Sequence, residues 1–204
     1  SNNKKIIMSK SDREITIAAI CAKNKNKKRD IDIENLNWVQ DPFDITDDKE
    51  IDLVVELIGG DENPSKSIVE KSLLNKKHVV TANKALIAKH GHHLALLAEE
   101  QQVCLNFEAA VAGAIPIIKA IKESLSGNVI SKVYGVINGT CNYILTQMEK
   151  EEKEYTSVFK KAQQLGYVEK DPQLDVGGID SAHKISILTT CAFGTRINFE
   201  NVIT

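Results

Sequence analysis

The stretch "IDLVVELIGG", residues 51–60, decides how this chain is read. Its β-favouring apolar residues run almost without interruption and close on two glycines, the pattern of a strand buried in a parallel sheet. Downstream, "NPSKSIVEKSLLNKK" places apolar residues at helical spacing with Pro64 at its opening, and "HVVTANK" is the next apolar strand. A further helix near residues 90–101 leads into "VCLNFEAAV", and upstream "EITIAAICA", from Glu14, reads as another strand. Strands alternating with helices of this size indicate a parallel α/β sheet.

Past Gly113 the pattern changes. Pro116 opens an amphipathic helix, "PIIKAIKESL"; residues 129–137 are strand-like; "NGTCNYILTQMEKEEK" turns helical; and residues 155–165 and 180–191 are further helices. The expected architecture is α/β: an incomplete Rossmann-type nucleotide-binding half at residues 1–112, followed by a second, α+β half at residues 113–204.

Composition narrows the function. The 204 residues are 42% hydrophobic and 26% charged, ordinary for a globular domain, and the formal net charge of -2 offers no footprint for nucleic acid or for an anionic membrane surface. No apolar run approaches the ~18 residues of a membrane span. Cys21, Cys104, Cys141 and Cys191 form no C-x-x-C pair and sit mostly in apolar runs, so reduced thiols and a cytoplasmic location are expected. The expected partner is a small molecule.

Several constellations can carry chemistry. The basic run "KNKNKKRD", residues 23–30, follows a strand at the position where a Rossmann-type half meets the adenosine ribose, so Lys23 and its neighbours suit a 2′-phosphate and favour NADP over NAD. A solvated loop is the plainer reading of such a run. None of the eleven glycines forms a G-x-G, so the expectation is a core portion lacking the glycine-rich turn at its N-terminus. Lys84 lies just beyond a strand's carboxyl end, where α/β sheets place ligands. Glu108, alone among small apolar residues in "NFEAAVAGAIP", could join backbone carbonyls around a hard cation such as sodium, or simply be hydrogen-bonded. His90, His92 and His93 lack the i, i+4 spacing of a helical zinc site.

The richest stretch is "LGYVEKDPQLDVGGIDSAHK", residues 165–184, which carries Glu169, Asp171, Asp175 and Asp180. Asp180 and Lys184 are four apart at the start of a helical pattern and share one face, so the carboxylate would hold the ammonium charged and oriented as a proton donor or substrate anchor. A helix-start ion pair is the structural alternative. Glu169 and Asp175 could bind an amino group. A rival enzyme would use the four acids as Mg²⁺ ligands in a hydrolase or phosphotransferase. A third reading is a non-catalytic dimerisation or regulatory module.

Taken together, "DLVVELIGG", "HVVTANKALIAKHG", "FEAAVAGAIPIIKAIKESL", "INGTCNYILTQM", "AQQLGYVEKDPQLDVGGIDSAHKISIL" and "FGTRI" resemble the blocks of the homoserine dehydrogenase family in the same order, over residues 52–197. The resemblance implies reversible reduction of the aldehyde of L-aspartate 4-semialdehyde to L-homoserine by NAD(P)H, in the route to threonine and methionine. It implies that residues 113–204 are an α+β substrate and dimerisation half, with a homodimer formed by joining sheets. It also implies Lys184 as catalytic lysine, Glu169, Asp180 and Gly166 around the substrate with Asp175 in support, and Lys84 at the junction of nicotinamide and substrate. Cofactor binding would involve Lys23, Gly59, Gly60 and Lys84. Glu108 with the carbonyls of Val111, Gly113 and Ile115 would match a structural sodium site. The family's chains normally continue past residue 204.

Overall fold

Three short parallel strands, β1 (Leu53–Glu56), β2 (His78–Thr81) and β3 (Leu105–Asn106), lie side by side in the order β1-β2-β3. Leu53 stands opposite His78, Glu56 opposite Thr81, and Val79 opposite Leu105. The computed structural model describes residues 3–168, 172–196 and 199–204. Helices in chain order are α1 (Lys4–Ser11), α2 (Pro42–Asp47), α3 (Ser65–Leu74), α4 (Lys84–Glu100), α5 (Glu108–Val111), α6 (Ile117–Lys119) running into a π-turn at Ala120–Ser124, α7 (Gly139–Glu151), α8 (Tyr155–Gln164), α9 (Pro172–Val176) and α10 (Ile179–Phe193). None of the described helices is long and apolar enough to cross a membrane.

The expected parallel α/β sheet is present. Parallel strands need helical crossovers, and α3 and α4 supply them. On α4, Ile87, Gly91, Leu94 and Ala98 repeat at helical spacing and are buried, while α3 buries Ile68, Val69, Ser72 and Leu73. α4 begins at Lys84, earlier than the periodicity suggested, because the Asn83 side chain caps it by accepting the Leu86 N–H at 3.1 Å.

Among the described residues, β1 is covered on one face. Val54 and Glu56 are buried, whereas Leu53 and Val55 are exposed, so β1 alternates instead of being buried on both faces.

One hydrophobic cluster joins the sheet to the rest of the chain. Val69, Leu73, Val79, Leu86, Ile87 and Leu94 pack with Ala110, Val111, Ile118 and Ile121, and with Ile187 and Leu188 of α10. A second cluster, Ile144, Val158 and Ala162, closes α7 on α8. The contact of α10 with α4 is what brings the helix start at Asp180 toward the helix start at Lys84.

Two expected strands do not form ladders. In "EITIAAICA" only Ile20 pairs, through one parallel bridge to Trp38, and Ile15 and Ile17 are exposed. Residues 129–137 carry no strand, and Val129, Tyr134 and Val136 are 98%, 83% and 75% exposed. A β-rich sequence makes a strand only where a neighbour satisfies its backbone, and the described residues provide none here.

Candidate active site

Asp180 sits in the first turn of α10 and is nearly fully buried. Its Oδ2 accepts a hydrogen bond from Lys184 Nζ at 2.8 Å and from Asn138 Nδ2 at 2.9 Å. Lys84 Nζ stands 2.8 Å from the other oxygen, Oδ1, as an ion pair rather than an aligned hydrogen bond. Lys184 also donates to the Ile137 carbonyl at 2.9 Å. The i, i+4 face anticipated for Asp180 and Lys184 is therefore present, and a second lysine from the sheet half closes on the same carboxylate.

The electrostatics follow from these contacts. Burial alone would raise the Asp180 carboxyl, but the ammonium groups of Lys184 and Lys84 and the Asn138 amide outweigh it and hold its pKa below the ordinary carboxylate value. The α10 N-terminus favours a carboxylate in the same way. Lys84 is the reverse case: a cation in the first turn of α4, with no acid in that turn, opposes the helix dipole by about 0.3–1 kcal/mol. Such a placement serves something other than helix stability.

Asn138 was not marked by the sequence as a site residue. It caps α7, accepting the Cys141 N–H at 2.8 Å, and its amide nitrogen bridges Asp180 to Asp175 Oδ1 at 3.0 Å. Asp175 is buried and joins the cluster through this bridge. The Cys141 thiol lies 3.3 Å from the Asp175 carbonyl, and burial, with the nearby Asp175 and Asp180, raises its pKa. His183 stacks on Phe199 with ring centres 4.5 Å apart; burial and then Lys84 lower its pKa. All four cysteines are free.

Gly166 ends α8 at φ 75°, and next to it the Tyr167 carbonyl accepts the Thr140 hydroxyl at 2.6 Å, which ties this turn to the start of α7. Glu169 and Asp171 lie outside the described residues. Gly59 and Gly60 follow β1 at φ 85° and 81°, with open space where a Cβ would stand, and the Gly60 carbonyl accepts Asn83 Nδ2 at 2.6 Å. Lys23 is exposed and is not brought to the lysine cluster. It opens the basic loop in which Arg29 donates to the carbonyls of Asn24, Lys25 and Lys27 and lies 5.3 Å over the Trp38 ring. Glu108 accepts the N–H groups of Ile118 at 2.7 Å and Lys119 at 2.9 Å, and the Ile115 carbonyl accepts Ile117 N–H. Among the described residues no three His, Cys, Asp or Glu side chains gather as a metal site, and His90 and His93 lie instead within 3.5 Å and 3.2 Å of Glu62 and Glu70.

A groove of about 550 Å³ runs beside this cluster, between residues 134–138, the start of α7 and α10, with Asn138 at its edge.

Comparison with known proteins identifies the family. Residues 3–108 match the family model "Homoserine dehydrogenase, NAD binding domain", and residues 116–204 match "Homoserine dehydrogenase". The homoserine dehydrogenase of Neisseria gonorrhoeae is 48% identical over 187 residues, covering 92% of this chain and 42% of that protein. That of Pseudomonas aeruginosa is 46% identical, covering 99% and 46%. The crystal structure of a homoserine dehydrogenase from Thiobacillus denitrificans superposes with a TM-score of 0.91 at 45% identity over 98% of this chain and 46% of that one. A hyperthermophilic archaeal homoserine dehydrogenase in complex with NADPH superposes at 0.71, with 31% identity over 76% of this chain and 48% of that one. The chain spans about half the length of the curated relatives it matches. With both of its halves matched in order, this chain belongs to the homoserine dehydrogenase family.

Proposed function

We propose that this chain is the catalytic core of an NAD(P)-dependent oxidoreductase that interconverts L-aspartate 4-semialdehyde and L-homoserine, in the biosynthesis of threonine and methionine. The observation that carries it is one buried carboxylate, Asp180, held between Lys184 and Lys84. Residues 1–112 would serve the cofactor and residues 113–204 the substrate.

The nicotinamide supplies or accepts the hydride. In the reductive direction the aldehyde oxygen gains negative charge as its carbon is reduced, and it needs a cation and a proton nearby. Lys184 supplies both, with Asp180 and the Ile137 carbonyl fixing its Nζ. In the oxidative direction the neutral amine takes the hydroxyl proton back. Lys84, paired to the other oxygen of Asp180, faces the same centre from the carboxyl end of the sheet. The substrate is an amino acid, and Glu169, Asp175 and the turn at Gly166 are assigned to its ammonium group.

The residues for a dinucleotide fit in part. Gly59 and Gly60 leave their backbone uncovered at the carboxyl end of β1, where such cofactors lie, and the exposed lysines at residues 23–28 suit a 2′-phosphate. NADP is therefore preferred, with NAD accepted. A structural sodium ion is assigned to Glu108, Val111, Gly113 and Ile115; it would share Glu108 with the N–H donors of Ile118 and Lys119 through the remaining lone pairs. A homodimer with a second copy laid along residues 129–137, and a cytoplasmic location, complete the reading. The decisive experiment is an assay of the full-length protein with L-homoserine and NADP⁺, followed by nicotinamide absorbance. Turnover is expected; magnesium-dependent hydrolysis without a nicotinamide response would replace this reading with the rival one.

A further inference from the structure

Glu56 closes β1 and is buried to 2% exposure, yet its carboxylate faces no cation among the described residues. Three neutral donors hold it. Oε1 accepts the N–H groups of Ile58 at 2.7 Å and Gly59 at 3.2 Å, and Oε2 accepts the Thr81 hydroxyl at 2.5 Å. A carboxylate buried without a countercharge is costly, and hydrogen bonds to its charged form are what make it tolerable. Thr81 Oγ1 in turn accepts the Asn83 N–H at 2.9 Å. Asn83 Nδ2 donates to the Gly60 carbonyl at 2.6 Å and to Ser65 Oγ at 2.9 Å, and its Oδ1 caps α4. Lys84 is the next residue.

Resting on the proposed function, we infer that Glu56 is a positioning residue for Lys84. Through Thr81 it fixes the peptide that carries Lys84, and through Ile58 and Gly59 it fixes the glycine turn whose Gly60 carbonyl accepts the Asn83 side chain beside that lysine. One buried carboxylate thus sets the distance between the turn and the lysine. A side chain that only stabilised the sheet would be better apolar, since the preceding buried positions on the same face of β1 and β2 are Val54 and Val79. The network is connected on both sides, so a displacement at Glu56 reaches Lys84 without crossing a flexible segment.

The test uses the full-length enzyme. Glu56→Gln keeps the shape, but its NH₂ cannot accept: turned toward Thr81 it replaces the charge-assisted bond from the hydroxyl with a neutral bond in the reverse direction and leaves the Thr81 O–H without its acceptor. We expect the single-turnover rate to fall about tenfold with the KM for homoserine within about twofold, and Thr81→Val to match it while Thr81→Ser stays near wild type. In a Lys84→Ala background the Glu56→Gln and Thr81→Val changes should cost less than about twofold, because residues acting through a shared partner are not additive. Independently of turnover, labelling of Lys84 by an amine-selective reagent, read by peptide mass spectrometry, should quicken severalfold in Glu56→Gln as the lysine leaves Asp180. If the losses multiply in the Lys84→Ala background, or labelling is unchanged, Glu56 only stabilises the sheet and the inference is overturned; Thr81→Val carries the same cycle if Glu56→Gln does not fold. A wild-type enzyme inactive on homoserine fails at an earlier step, overturning the function and this inference with it.

Discussion

Lys84 Nζ lies 2.8 Å from Asp180 Oδ1, although one residue opens α4 and the other opens α10. Two helix starts of opposite preference meet at this contact. The carboxylate is favoured by its own helix dipole and the ammonium is disfavoured by its own, so the pair offsets what Lys84 costs alone.

Acid stability should reveal the Asp180 cluster. Its pKa is lowered in the folded state, since the donors outweigh the burial that would raise it, so its stabilisation is present above the unfolded value of about 4 and is lost as pH falls through the folded one. Thermal unfolding of wild type and Asp180→Asn should therefore differ at neutral pH and converge below about pH 4. A constant difference down to the lowest pH would show that the charge of Asp180 contributes nothing.

His183 acts in a higher window. Burial and then Lys84 lower its pKa, so the neutral ring is favoured by folding, and the associated stability is present above about pH 6.5 and lost as pH falls through the folded value. His183→Phe keeps a ring against Phe199 and removes the titration. Its melting temperature should lack the decline expected of wild type as pH falls below about 6.5. An unchanged slope would assign that limb to other groups.

How much of this was legible beforehand differs between local and distant relations. Asp180 and Lys184 share a helix face because they are four residues apart, and that spacing is visible in the chain itself. Asn138 was legible only as a helix cap: its bond to the Cys141 N–H is local, while its partners Asp175 and Asp180 arrive from distant segments through tertiary packing. Glu56 and Thr81 were not marked by the sequence as site residues, each being one polar residue in an apolar strand segment. Their pairing follows from the parallel register that sets them opposite one another. Residues 14–22 and 129–137 failed as strands for a related reason, since β-propensity specifies a surface that can pair and not the neighbour it pairs with.

Exposed Tyr134 and Val136 lead to a prediction of assembly. If a second copy covers residues 129–137, the full-length protein should scatter light as a dimer at tens of micromolar, and Val136→Lys should shift it toward monomer by placing a charge in the joined face. A monomer before mutation would remove the proposal.

The proposed preference for NADP rests on the loop after Ile20. The exposed lysines of residues 23–28 offer charge-assisted contacts to a 2′-phosphate, and Arg29 is occupied by three loop carbonyls. Lys23→Glu should therefore weaken NADP(H) binding by about tenfold and leave NAD(H) nearly unchanged, measured by nicotinamide fluorescence. Equal losses for both cofactors would place Lys23 away from the phosphate.

The two lysines on Asp180 compete for the role of proton donor, and variants separate them. Lys184 is held by two acceptors, Asp180 Oδ2 and the Ile137 carbonyl, and is the less exposed of the pair, as a group aimed at one atom should be. Lys84 has a contact with Oδ1 that lacks hydrogen-bond alignment, a looser geometry suited to neutralising charge. Lys184→Ala should lower single-turnover hydride transfer by roughly 10²- to 10⁴-fold with little change in cofactor affinity, the usual worth of a positioned general acid. Glu169→Ala should act mainly on the KM for homoserine, because an ammonium contact is present in ground and transition states alike. Asp180→Ala should affect both parameters, since it orients two cations and removes the negative charge between them. The loss in Lys84→Ala should be the smaller of the two lysine losses. If Lys184→Ala keeps the wild-type rate while Lys84→Ala loses it, the donor is Lys84, and the tighter geometry of Lys184 is that of a helix-start ion pair.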